Sequence, residues 1–256
     1  MKDKRSPLKD RPLRNPGQSL DEQIRDLASD YAHGPAVFAL FMVLVTALEW
    51  LKYYHSLPPK PWFYSSVAAP AVFYAVWRFF RVRSEVKNHR LGRDGEKEVG
   101  QKLEKLRERG YLVFHDILGN GFNVDHVLIG PAGVFTVETK THSKSAAGRP
   151  TVVFDGETIL IDKVKPDRDA LGQARAQATW LSEVLRQSTG RTFEVRPVIV
   201  YPGWFVEYTG PKKRRIWVLN PKALPSFLDH EPLRLSQEDV ALANFHLDRF
   251  VRTAAP

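Results

Sequence analysis

The 256-residue chain contains no cysteine and only two methionines. Disulfide scaffolds, thiolate zinc sites and cysteine nucleophiles are therefore excluded. A phosphate-cradling loop of the G-x-x-x-x-G-K-[ST] type is also missing, which argues against ATP-driven chemistry. No internal repeat is visible, and no charge occurs from Gly34 to Leu48 or from Pro61 to Trp77. What is present is 43% hydrophobic and 26% charged residue content, with 18 prolines and 16 glycines. That suffices for one full α/β domain plus a smaller element, and it is not the composition of a disordered polymer. The net charge of +9 invites a nucleic-acid reading. Residues 1–83, however, hold 12 basic and 7 acidic groups, and residues 84–256 hold 26 and 22. Most of the excess thus flanks the apolar runs, and the remaining +4 is compatible with nucleic acid without arguing for it.

Residues 1–33 are polar and interrupted by Pro7, Pro12 and Pro16. They read as a flexible tail, with Ser19 and Glu22 placed to cap a short helix over residues 20–31. The two uncharged runs are apolar around their whole circumference, as bilayer-facing helices are and buried helices of a soluble protein can be. With their flanks they reach the roughly 20 residues a bilayer requires. Trp50, Tyr53, Tyr54, Trp62 and Tyr64 cluster as an interfacial belt would. The expectation is a membrane hairpin over residues 34–83, with spans of about 34–54 and 61–80 and a kink at Pro70. Basic residues concentrate in the tail and at Arg78, Arg81, Arg83, Lys87, Arg90 and Arg93, whereas the connecting loop has only Lys52 and Lys60. The positive-inside rule then puts both termini in the cytoplasm of a multi-pass, bacterial-type inner-membrane protein.

Residues 84–256 read as one domain. Val99, Leu103 and Leu106 mark an amphipathic helix over residues 91–109, ended by Gly110. Three strand-like runs follow, Tyr111–Leu118, Val124–Ile129 and Gly133–Lys140, separated by glycine turns. Residues 152–154 and 158–161 form a hairpin about Asp155-Gly156. A long helix over residues 167–187, strands over 195–201 and 216–219, and helices over 221–228 and 237–251 complete the order. Ser236 and Asp239 are placed to cap the last helix.

Glu138 and Lys140 share one face of a strand that reads as central, because side chains alternate. Asp125 lies as far before the intervening turn as Glu138 lies after it, so an antiparallel register lets the two carboxylates meet. Such a group is costly to bury without compensation. A divalent cation supplies it, and hard oxygen ligands favour magnesium or manganese. The competing reading is a plain Glu138–Lys140 ion pair on an exposed sheet face. His126 alternates to the opposite face from Asp125 and reads as a core or supporting histidine.

Asp125 followed by Glu138-Thr139-Lys140 resembles the D…(D/E)xK signature of the PD-(D/E)XK nuclease superfamily, with Val124 where the superfamily name has proline. Four segments in order are similar to the NERD (nuclease-related domain) family. They are Gly92-Arg93-Asp94-Gly95-Glu96-Lys97-Glu98-Val99, Val124-Asp125-His126-Val127, Gly133 through Lys140, and Gln173 in the second helix. The resemblance covers residues 91–205. It implies an α/β fold with a restriction-endonuclease-like αβββαβ core and a mixed sheet, here preceded by the two-helix transmembrane hairpin. It also implies metal-dependent phosphodiester cleavage. Carried over, Asp125 and Glu138 would bind Mg2+ or Mn2+ with the Thr139 carbonyl, and Lys140 would stabilise charge at the scissile phosphate. Glu96 would hold the metal through water, and Gln173 would hold a phosphate or Lys140. Residues 206–256 would add a C-terminal strand and helices to this core.

Lys212-Lys213-Arg214-Arg215 is a basic cluster able to contact phosphates or anionic headgroups, with Trp204 and Phe205 near it in sequence. The expected partners are DNA or RNA and a lipid bilayer, with a homodimer as a possible assembly. Two functions compete: a membrane-anchored metal-dependent nuclease, and an inactive membrane-tethered nucleic-acid-binding or scaffold module on the same fold.

Overall fold

A computed structural model describes residues 13–55, 61–144, 149–211 and 215–253; many side chains between residues 28 and 79 lie outside that description. The chain forms two compact units, one of Ser19–Leu91 and one of Met1–Gln18 together with Gly92–Pro256.

The first unit contains α1 (Gln18–Tyr54) and the greater part of α2 (Pro61–Glu104). The short helix expected over residues 20–31 is the start of α1, which continues into the apolar run. The tail is therefore helical from Gln18 onward, with Asp21 in the first turn where the helix dipole favours negative charge. The arginines from Arg78 do not end the second helix, because residues 78–91 contain neither glycine nor proline and arginine is a good helix former. Pro70 lies inside α2. The amphipathic segment expected to begin at residue 91 is thus the end of α2. Among the described residues no helix is long and apolar enough to cross a membrane. Several described apolar side chains of this unit are nevertheless exposed. Val37, Leu40, Leu44, Leu48 and Leu51, at helical steps of three and four, are 49–66% exposed.

The second unit is built on a five-stranded mixed sheet in the order β1-β2-β3-β6-β8. Its strands are β1 (Leu112–Leu118), β2 (Asn123–Gly130), β3 (Gly133–Thr139), β6 (Val195–Val200) and β8 (Trp217–Leu219). The first three form an antiparallel meander, and β3 pairs in parallel with β6. One face packs Val99 and Leu103 from the end of α2, and Leu106 of the 3-10 turn that follows it, against Leu128, Phe135, Val137 and Val200. The other packs α3 (Ala170–Thr189) and α5 (Gln237–Thr253), through Leu181, Leu185 and Leu247, against Phe114, Val127, Ile129 and Val134. A second sheet, β5-β4-β7, comprises the expected hairpin, β4 (Thr151–Phe154) and β5 (Ile159–Ile161), and β7 (Phe205–Tyr208). Strand β7 was not expected: four residues following Pro202 and Gly203 carry no alternation long enough to read. A short helix α4 (Leu224–Asp229) precedes α5. At the start of α5 the Asp239 N–H donates to Ser236 Oγ at 3.1 Å, as the spacing anticipates. The mixed α/β fold and the element order of the core agree with the sequence reading.

Candidate active site

The pairing of His126 with Val137 sets Asp125 opposite Glu138 on the α3 face of the sheet. One strand further out, the β1–β2 register sets Asp116 opposite Asp125. Three carboxylates thus lie in a row across β1, β2 and β3, and Glu96 of α2 is close enough to feel Asp116 and Glu138. All four are at most 7% exposed.

Each carboxylate has a specific environment. The Thr139 N–H donates to Asp125 Oδ2 at 2.7 Å, tying β3 to β2 past the last paired residues. Lys140 Nζ donates to Glu138 Oε1 at 2.7 Å and to Gln173 Oε1 at 2.8 Å. Gln173 Nε2 returns a hydrogen bond to Glu138 Oε1 at 2.8 Å, closing a triangle between β3 and α3. Gln177, one helical turn further, donates to Glu138 Oε2 at 2.6 Å and to the Asn123 carbonyl at 3.0 Å. The amide pair at i and i+4 therefore orients both oxygens of Glu138. The Glu138 side chain is 4% exposed and Lys140 18%, so this is no exposed surface ion pair.

Burial, and then repulsion from Asp116 and Glu138, pushes the Glu96 carboxyl up to about 8, against the opposing pull of Lys140. Burial, Glu138 and Glu96 push Asp125 well above the usual carboxylate range, in spite of the Thr139 hydrogen bond. The cluster is therefore short of positive charge. Tyr201, just beyond β6, is fully buried, and its hydroxyl has no hydrogen-bond partner. Burial, and then the Glu138 charge, raises its pKa. Thr141 Oγ1 and Gln177 Oε1 are likewise buried and unpartnered. A Cβ on Gly95 would lie 2.1 Å from Thr141 Oγ1, so glycine there lets α2 close onto the segment after Lys140 and deliver Glu96.

Asp116 and Gln177 escape sequence reasoning, as does Arg14. Asp116 has φ 51°, in the left-handed region that a non-glycine residue rarely adopts. Its carboxylate accepts from Arg14 Nε at 2.7 Å and from Asn123 Nδ2 at 3.0 Å. The Arg14–Asp116 pair is 13% and 0% exposed, so the segment before α1 belongs to this domain. Replacing Arg14 with methionine should leave Asp116 short of a buried counter-ion, at a cost of about 2–3 kcal/mol. Chemical denaturation of Arg14→Met measures it, and the double change with Asp116→Asn should recover most of the loss.

The remaining sequence candidates are distributed as follows. His126 is fully buried on the α2 face. Trp204 packs in the core, whereas Phe205 is 43% exposed with the Arg149 guanidinium 3.7 Å from its ring centre. Arg215 is exposed, and Lys212, Lys213 and Arg214 lie outside the described residues.

Among the described residues no group of three or more histidine, aspartate or glutamate side chains is arranged as a ready metal cage. The donor set still fits a small hard cation. Magnesium keeps several waters and is commonly held by one or two carboxylates, a number that Asp125 and Glu138 could supply, and the raised proton affinities of Glu96 and Asp125 mark a shortage of positive charge. Residues 91–202 match the family described as nuclease-related domain, NERD. An uncharacterized protein of Bacillus anthracis is 38% identical over 69 residues, 24% of this chain and 32% of that protein. The chain thus spans about a third of the length of the curated relative it matches. No solved structure matches the chain.

Proposed function

We propose that this protein is a divalent-metal-dependent nuclease carried at the cytoplasmic face of a membrane. The observation that carries the proposal is the Lys140–Glu138–Gln173 triangle beside Asp125, within a nuclease-related domain. When bound, Mg2+ or Mn2+ would supply Lewis acidity at the phosphate and lower the pKa of a water. Asp125, Glu138 and the Thr139 carbonyl would hold the cation. The Lys140 ammonium offers a mobile positive charge to the phosphoryl oxygens, where negative charge grows as water adds to phosphorus and the P–O ester bond breaks. The products are a phosphomonoester and a free hydroxyl. Gln173 keeps Lys140 aimed, and Gln177 keeps Glu138 from rotating away. Glu96, protonated at neutral pH unless a cation is present, would hold a metal-bound water. Arg215 and its basic neighbours supply sequence-independent phosphate contacts, weakened by salt.

Membrane attachment rests on the two uncharged runs and on the outward apolar stripe from Val37 to Leu51, a surface that water solvates poorly. A cysteine placed at residue 160 should resist a membrane-impermeant thiol reagent in intact cells and react after lysis; labelling in intact cells contradicts this orientation. The nuclease reading is tested by cleavage of labelled single- and double-stranded DNA and RNA by the full chain. Cleavage should require Mg2+ or Mn2+, stop with EDTA, and vanish in Glu138→Ala. A protein that binds no divalent cation and cuts none of these substrates is better described as a tethered scaffold on a nuclease fold.

A further inference from the structure

The face of the sheet opposite the acidic row carries a second polar assembly. His115 of β1 and His126 of β2 are cross-strand partners in the register, and their Nδ1 atoms lie 2.9 Å apart. His115 Nε2 lies 2.8 Å from Glu104 Oε1 at the end of α2, and His126 Nε2 lies 3.5 Å from Thr139 Oγ1. The two rings meet edge to face, with their planes at 88°. His115 is 9% exposed and His126 fully buried, whereas the Glu104 side chain is 44% exposed. Glu104 is itself held by Arg107, whose Nε donates to Oε2 at 2.6 Å.

With both imidazoles neutral, the chemistry of the four groups allows one direction. An ionised carboxylate only accepts, so His115 must donate through Nε2. A neutral His115 then accepts at Nδ1, which obliges His126 to donate from its own Nδ1. His126 Nε2 is left as an acceptor, and it faces the Thr139 hydroxyl at 3.5 Å. Both rings are neutral in this scheme. In this scheme a half-exposed glutamate on α2 sets the tautomer of a histidine buried two strands away, whose Nε2 faces Thr139 Oγ1.

Thr139 is the middle residue of the Glu138-Thr139-Lys140 segment, and its N–H holds Asp125 at 2.7 Å. We infer that Glu104, His115 and His126 act as positioning residues, a directed hydrogen-bond chain that fixes Thr139 and, through its backbone, the geometry of Asp125 and of the Thr139 carbonyl toward a divalent cation. The inference rests on the metal-dependent reading of the site. Partners beyond the direct ligands typically change metal affinity by about 10–100-fold when removed.

Glu104 is the member to alter, because its exposure lets a substitution be tolerated. In the full chain, Glu104→Leu removes the acceptor for His115 Nε2–H and frees both rings to exchange tautomers. Glu104→Gln keeps a carbonyl acceptor in the same place. The 15N shifts of the imidazole nitrogens report which carry protons, and titration with Mn2+ by calorimetry reports cation affinity. The unaltered protein should show His126 protonated at Nδ1 and His115 at Nε2. Glu104→Leu should mix the tautomers and weaken Mn2+ binding by about tenfold, and Glu104→Gln should restore both. Reversed tautomers in the unaltered protein, or Mn2+ affinity unchanged in Glu104→Leu, overturn the inference. Failure of the unaltered protein to bind Mn2+ overturns the metal reading and the coupling with it, while the tautomers still report whether the chain runs in this direction.

Discussion

Lys140→Met should lower kcat about 100- to 1,000-fold while leaving substrate affinity within a few-fold of the unaltered protein. That range is typical for removing a single donor to charge that develops in the transition state. The expected split follows from where Lys140 sits. Its ammonium bridges Glu138 and Gln173 in the resting protein, so it is already aimed without substrate. Losing it costs little in ground-state binding and much in stabilising the departing charge. An ion pair serving only stability would behave differently, with a loss of about 0–1 kcal/mol and unchanged turnover. Single-turnover cleavage and equilibrium binding of a labelled oligonucleotide, measured on the same preparations, separate the two outcomes. Equal loss in binding and turnover would place Lys140 in substrate affinity instead.

The second large effect is on stability, and its sign is opposite to that of an ordinary salt-bridged acid. The folded-state pKa of Glu96 is raised to about 8 by burial and by its acidic neighbours, whereas an unfolded glutamate titrates near its ordinary value of 4.5. Between those two values the folded protein binds more protons than the unfolded one. Stability in the absence of cation therefore falls as pH rises from about 4.5 to about 8, and levels off above. Each unit of difference corresponds to about 1.4 kcal/mol. Glu96→Gln abolishes the ionisation, so it should be more stable than the parent at pH 8 without metal and should have a flatter pH profile. Mg2+ at saturating concentration should reverse the comparison by favouring the ionised acid. Denaturant midpoints at pH 5, 6.5 and 8, with Mg2+ or EDTA, measure the effect. A parent profile that rises through this window would show that Glu96 is ionised in the folded protein.

Much of the site was legible because strand alternation is a strict rule. Glu138 and Lys140 two residues apart had to share a face, and the turn length had to bring Asp125 opposite Glu138. The resemblance offered Gln173 a phosphate or Lys140 as its partner, and in the folded chain Lys140 Nζ donates to Gln173 Oε1 at 2.8 Å. His126 could be assigned to the far face, but not its partners: His115 is reached through a register that only the folded meander fixes. Asp116 was hidden for a similar reason. One acid near the end of a strand reads as a solvated edge, and its burial depends on Arg14, 102 residues earlier. No local pattern announces a guanidinium delivered by a segment before an intervening helical unit. Gln177 lacked a charge to draw attention, although its spacing from Gln173 is the helical repeat. The long helices were misjudged at their junctions, because arginine and lysine mark the edge of an apolar run without ending a helix.

Under the proposed function, Asp125 and Glu138 form a cation site serving phosphodiester hydrolysis. Crystals of the full chain grown with Mn2+ and measured at an anomalous wavelength test it most directly. The account predicts one peak bounded by Asp125, Glu138 and the Thr139 carbonyl, and absent from Glu138→Ala crystals grown in the same way. A map with no peak there, in a protein that retains its Lys140–Glu138 contact, would contradict it.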